Sequence, residues 1–188
     1  MDPMWLLIVL LAVLLGGVFI YNSLVRLREQ AESAWSDIDV QLKRRYDLVP
    51  NLVETVKGYA GHERETLDAV VTARSRAMSA QGPAERAQAE GMLTGALKSL
   101  FALSEAYPEL RASENFAALQ ATLGELEDHI QNARRYYNAV VRDYNTRIAQ
   151  VPANLVAGPF GFSQREFFEI PQGETSVPRV SFDEGTST

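Results

Sequence analysis

The chain has 188 residues, no cysteine, two histidines and a formal net charge of −6. Without thiols it has neither a disulfide framework nor a thiolate metal site, and two histidines leave little for zinc. The 16 basic and 18 acidic residues between Asn22 and Gln150 are mixed along the chain, so no basic face is offered to nucleic acid.

The first element is an apolar run, Met4 to Tyr21 (MWLLIVLLAVLLGGVFIY), of 18 residues without a charge. A bilayer-crossing helix needs about that length, and only a helix satisfies its own backbone groups in hydrocarbon. At ~1.5 Å per residue it spans roughly 27 Å, with Trp5 and Tyr21 at its ends, where amphipathic rings favour the interface. A cleaved signal peptide needs basic residues ahead of the run and small residues behind it. Only Met1, Asp2 and Pro3 precede the run and Phe19-Ile20-Tyr21-Asn22 closes it, so residues 1–21 read as an uncleaved anchor. Arg26 and Arg28 follow the span, and positive-inside bias then places the body in the cytoplasm with the N-terminus outside; a periplasmic body is the alternative. Ala12 and Gly16 form a small-xxx-small pair able to bring two anchors together.

Residues 22–150 read as a helical body. Apolar residues recur at Leu24, Leu27, Ala31, Ala34/Trp35, Ile38, Leu42 and Tyr46, steps of three and four that draw one stripe. No Gly or Pro interrupts Asn22–Val49, so the anchor helix is expected to continue as the first bundle helix, with Trp35 as a core anchor. Pro50 removes a backbone donor and disfavours helical geometry at Val49, and Asp47 is a candidate N-cap. A chain reversal there is favoured over a kink, because each segment then buries its own stripe. The second helix carries Leu52/Val53, Val56, Leu67, Val70/Val71 and Ala77/Met78 up to the break at Gln81-Gly82-Pro83. A third runs about Ala84–Ala106, burying Met92/Leu93, Ala96/Leu97, Leu100 and Leu103, and Tyr107-Pro108 breaks it. The fourth covers about Ala112–Gln150, from Phe116 to Ile148, and Val151-Pro152 ends it. Four amphipathic helices on short loops predict an all-α, antiparallel up-and-down bundle. Residues 151–188 form an aromatic segment (Phe160, Phe162, Phe167, Phe168) and then a Gly-, Ser-, Thr- and acid-rich tail expected to be disordered. The aromatic cluster is expected either to cap the bundle or to hold it against the membrane.

The stretch Ala34–Val53 (AWSDIDVQLKRRYDLVPNLV), continued by Thr55–Ala60, Glu63 and Ala73-Arg74, resembles the core motif of the LemA family. Tyr107-Pro108, Ala133-Arg134, Tyr137-Asn138, Tyr144-Asn145 and Phe167-Phe168 match as well. The resemblance implies a bacterial inner-membrane protein with one membrane helix, a four-helix bundle and no established enzymatic activity. Some relatives of that kind serve in organising intracellular membrane compartments.

Asp39, Lys43, Arg44, Arg45 and Asn51 form a candidate interaction surface on the polar face opposite Ile38 and Leu42, and its place far from the span favours a protein partner over lipid. Tyr137-Asn138 and Tyr144-Asn145 recur seven residues apart on one helix face, with the tyrosines expected in the core and the asparagines bonded to neighbouring helices or water. Arg74 and Arg134 are candidate partners for Glu63 or Glu127, an arrangement that would lock helix register. Pro50, Phe167 and Phe168 complete the structural set. Catalytic signals are absent: Tyr59 and Leu126, not Glu, stand three residues before His62 and His129, and no glycine-rich phosphate loop appears. No cofactor or metal is expected. The expected function is a membrane-anchored, non-enzymatic interaction scaffold, with a self-assembling protein that organises or shapes the membrane as the alternative. The expected partners are the lipid bilayer, other membrane or cytoplasmic proteins, and further copies of the chain.

Overall fold

The computed structural model describes residues 3–169, so the tail beyond Glu169, expected to be disordered, lies outside the described residues. The elements are α1 (Pro3–Ala60), α2 (Arg64–Ser79), α3 (Gly82–Ser104), the single turn α4 (Pro108–Arg111), α5 (Glu114–Ala149) and the short α6 (Ala153–Ala157). No strand occurs among them. α1 is one helix of 58 residues, roughly 87 Å long, that leads without a break from the apolar span into the body. It is long and apolar enough to cross a membrane, and its most apolar window, of mean hydropathy 2.7, contains no buried residue.

Pro50 neither reverses nor ends α1, contrary to expectation; the reversal comes eleven residues later, at Gly61-His62-Glu63. Asp47 accordingly lies inside the helix and caps nothing. A proline inside a helix costs about 3 kcal/mol or more, partly because the carbonyl four residues earlier loses its donor. Here that carbonyl belongs to Tyr46, and the Arg74 side chain on α2 donates to it through Nε at 2.7 Å. The arginine thus supplies the bond that proline removes. Arg74→Met should therefore destabilise the protein by about 1.5–3 kcal/mol, the range for a bond from a charged donor. In a Pro50→Ala background, where residue 50 has its own N–H, the same change should cost markedly less. Equal losses in the two backgrounds, measured by urea unfolding, would refute the compensation.

α5, 36 residues long, returns alongside α1 as its main partner, while α2 and α3 form a hairpin turned by Ala80-Gln81. Gly82 opens α3 at φ +74, a left-handed conformation suited to glycine, and Pro83 follows in the first turn. Ser113 caps α5 by accepting from the Phe116 N–H. At 16 residues α2 is only about 24 Å long, against about 54 Å for α5. The hairpin therefore covers only the upper part of the α1–α5 pair. The lower part of the α1 stripe is covered by the chain after α6, whose Phe168 is completely buried in the main core. A second, smaller core nearer the span joins Leu24, Tyr144, Ile148, Ala153, Ala157 and Phe162. The expected stripe holds with three exceptions: Val71, Met78 and Met92 are exposed, while their neighbours Val70, Ala77 and Leu93 are buried.

Candidate functional site

The run Lys43-Arg44-Arg45 does not form one basic surface, because successive residues on a helix point about 100° apart. Lys43 lines a depression with Ser36, Asp39, Met78 and Arg86, and Arg44 lines another with Asp47, Thr122, Glu125 and His129. Asp39 is paired with Arg86, and Asn51 remains exposed on α1. Arg45 turns inward and is 5% exposed, which removes it from the expected interaction surface.

Arg45 sits where α1, α3 and α5 converge. Its Nη1 lies 3.2 Å from Glu90 and 3.1 Å from Glu127, and its Nη2 donates to the Thr94 hydroxyl at 2.9 Å. The buried Tyr46 hydroxyl donates to the other oxygen of Glu90. Arg45 thus takes the register-locking place expected of Arg74 and Arg134. Arg74 bonds the Tyr46 carbonyl, Glu63 accepts from the Tyr107 hydroxyl at 2.8 Å, and Arg134 makes no ion pair among the described residues. Burial raises the Tyr46 hydroxyl far above its usual range, with the Glu90 charge adding to it. Burial likewise lifts Glu90 above the ordinary glutamate value of 4.5, against the opposing pull of Tyr46 and Arg45.

That shift fixes the sign of a pH dependence. Glu90 binds its proton more tightly folded than unfolded, so its contribution to stability is fully present below pH 4.5 and is lost as pH rises through the raised folded value. Glu90→Gln removes the loss. Melting temperatures from about pH 4 to 8 should therefore shift in favour of the variant as pH rises; parallel profiles would show that Glu90 titrates normally.

Above this cluster α3 and α5 stand apart and leave an open cleft of about 600 Å³. Arg45, Thr94 and Glu127 reach it from below, Leu97, Phe101 and Leu123 supply apolar wall, and Lys98, Gln120 and Gln131 supply polar groups. Gly95 and Gly124 face it from opposite helices, and a methyl group at either would meet nothing within 4 Å. Sequence reasoning missed this cleft, although glycines inside two helical patterns were the available signal.

The other built feature is a strap, residues 162–168, lying antiparallel to α5. The Asn145 side chain accepts from the Arg165 N–H and donates to the Arg165 carbonyl, both at 2.9 Å. Asn138 does the same for Phe168, at 2.9 and 3.1 Å. Seven helical residues rise roughly 10.5 Å and three extended residues about 10 Å, so the two amides meet residues 165 and 168 in register. Between them the Tyr137 hydroxyl donates to the Glu166 carbonyl at 2.9 Å. The asparagines therefore hold an extended segment by its backbone, where bonds to neighbouring helices or water were expected. Tyr137 and Tyr144 are in the core, as expected, and burial raises both hydroxyls. Trp35 is part-buried, its ring 5.3 Å from Tyr137, 5.6 Å from Phe168 and 5.6 Å from the Arg86 guanidinium. Phe167 is partly buried against the main core and Phe162 is buried against Tyr21 and Arg28, so these rings cap the body.

Among the described residues no group of three or more His, Cys, Asp or Glu side chains is placed to hold a metal ion. Magnetosome protein MamQ 2 of Paramagnetospirillum magneticum is 28% identical over 184 residues, covering 84% of this chain and 68% of its own length. Magnetosome protein MamQ of Magnetospirillum gryphiswaldense is 27% identical with the same coverage. Protein LemA of Metamycoplasma hominis is 28% identical over 185 residues, covering 93% of this chain and 81% of its own. The LemA family model matches residues 34–182, a span that takes in the Arg45 cluster, the cleft and the strap, and the chain belongs to the LemA family.

Proposed function

We propose that this protein is a membrane-anchored, non-enzymatic scaffold that presents a helical body to a partner protein at the bacterial inner membrane. The observation that carries the reading is the glycine-faced cleft between α3 and α5, open to solvent and floored by a fixed ion-pair cluster. Its apolar wall and polar rim suit an amphipathic helix, whose backbone the two glycines allow to approach closely. α1 links the cleft to the span as one continuous helix. Asp39, Lys43 and Arg44 line separate depressions and Asn51 is not among the cleft-lining residues, so none of them belongs to the proposed contact.

The body lies in the cytoplasm in this reading, with Arg26 and Arg28 just past the span. A reporter active only outside the cytoplasm, fused after Thr188, should be silent; activity would reverse the orientation. The second reading is a self-assembling protein that organises the membrane, favoured by the two relatives named magnetosome proteins. The mass of the full chain in detergent separates them. A discrete monomer or dimer supports the scaffold, and a large homogeneous ring or cage supports the assembly.

A further inference from the structure

The chain between α5 and the strap carries an unassigned surface. No charged residue occurs from Ile148 to Gln164, and Arg147 and Arg165 bracket the stretch. Its inner side, Ala153, Ala157 and Phe162, is buried in the smaller core. Its outer side is mostly apolar: Val151, Leu155 and Phe160 are 77, 72 and 62% exposed, with the uncharged Asn154 exposed among them. Phe160 and Val156 form one wall of an apolar groove of about 400 Å³, whose other wall is Val13, Leu14, Gly17, Val18 and Tyr21 of α1. The Phe160 ring lies 5.1 Å from that of Tyr21. The outer side therefore stands level with residues inside the apolar span and not beyond its end.

We propose that the segment from Val151 to Phe160 is a second membrane contact, a wedge seated in the leaflet through which α1 leaves the bilayer, with lipid acyl chains in the groove between Phe160 and α1. The inference rests on the reading of Met4–Tyr21 as a membrane span. Non-helical backbone at membrane depth is tolerated only where its polar groups are satisfied. This segment meets much of the requirement from within. Asn154 and Leu155 donate to Gln150 and Pro152, while Phe160, Gly161 and Phe162 donate to Val156, Gly158 and Ala157. Pro152 and Pro159 have no N–H to satisfy. An exposed, mostly apolar patch continuous with a membrane helix and uncharged over its whole length has the chemistry of an interfacial anchor.

The chain has no cysteine, so single labels can be placed cleanly. Leu155→Cys, Val18→Cys and Val71→Cys would each carry an environment-sensitive fluorophore in full-length protein reconstituted into phosphatidylcholine–phosphatidylglycerol vesicles. Leu155 and Val71 are both exposed, so neither change disturbs the core. Acyl-chain-brominated lipid should quench the Leu155 label to an extent close to that at Val18 and several-fold more than at Val71, and aqueous iodide should do the reverse. A Leu155 label that follows Val71, or that neither quencher reaches because protein covers it, overturns the wedge. An unquenched Val18 label instead overturns the span on which it rests.

Discussion

Arg45→Ala should lower the unfolding free energy by about 3–5 kcal/mol, the usual cost of removing one partner from a buried pair. Among the described residues the guanidinium is the only cation in contact with Glu90, a side chain 2% exposed, and it also holds Glu127 and Thr94. Its loss leaves Glu90 buried with only the Tyr46 hydroxyl and removes the polar tie from α1 to α3 and α5. The double variant Arg45→Met, Glu90→Gln should recover most of the loss, because the one charge left without its partner, Glu127, is 33% exposed and reaches solvent. Urea unfolding followed by helical circular dichroism reads both. A loss below about 1 kcal/mol for Arg45→Ala would place the pair among solvent-screened surface bridges.

Phe168→Ala should have a comparable effect, about 3–5 kcal/mol for truncating a fully buried phenylalanine. Its ring fills the space beside Trp35 and Tyr137 that the short α2–α3 hairpin does not reach. The asparagines give the same strap a second signature. Asn138→Ala and Asn145→Ala each remove two backbone-directed bonds, about 1–3 kcal/mol per variant. Amide exchange at Arg165 and Phe168 should accelerate in both, while protection of α2 and α3 stays as it was. Unchanged exchange at those two amides would mean that the aromatic rings alone hold the strap.

The breaks at Gln81-Gly82-Pro83, Tyr107-Pro108 and Val151-Pro152 were legible because glycine and proline act locally, and the structure turns or ends helices at each. Pro50 misled for the opposite reason. The donor that rescues the helix comes from Arg74, 28 residues beyond the Tyr46 carbonyl it serves, and no local pattern contains it. Arg45 was half legible. It lies three residues after Leu42 and four before Val49, on the buried stripe, but its charge directed the reading to the surface. The i,i+7 asparagines were visible as a repeat on one face; their target was not, since only the fold brings residues 165–168 against α5. The cleft depended on how far α3 stands from α5, a distance set by tertiary packing and not by either helix alone.

The scaffold account is tested most directly by photocrosslinking in native membranes, with benzoylphenylalanine in place of Gln120 at the cleft and, as a control, in place of Val71, an exposed residue of α2 outside it. The account predicts one distinct protein adduct from Gln120 that Val71 does not give. No adduct from Gln120, or the same adducts from both positions, would contradict it.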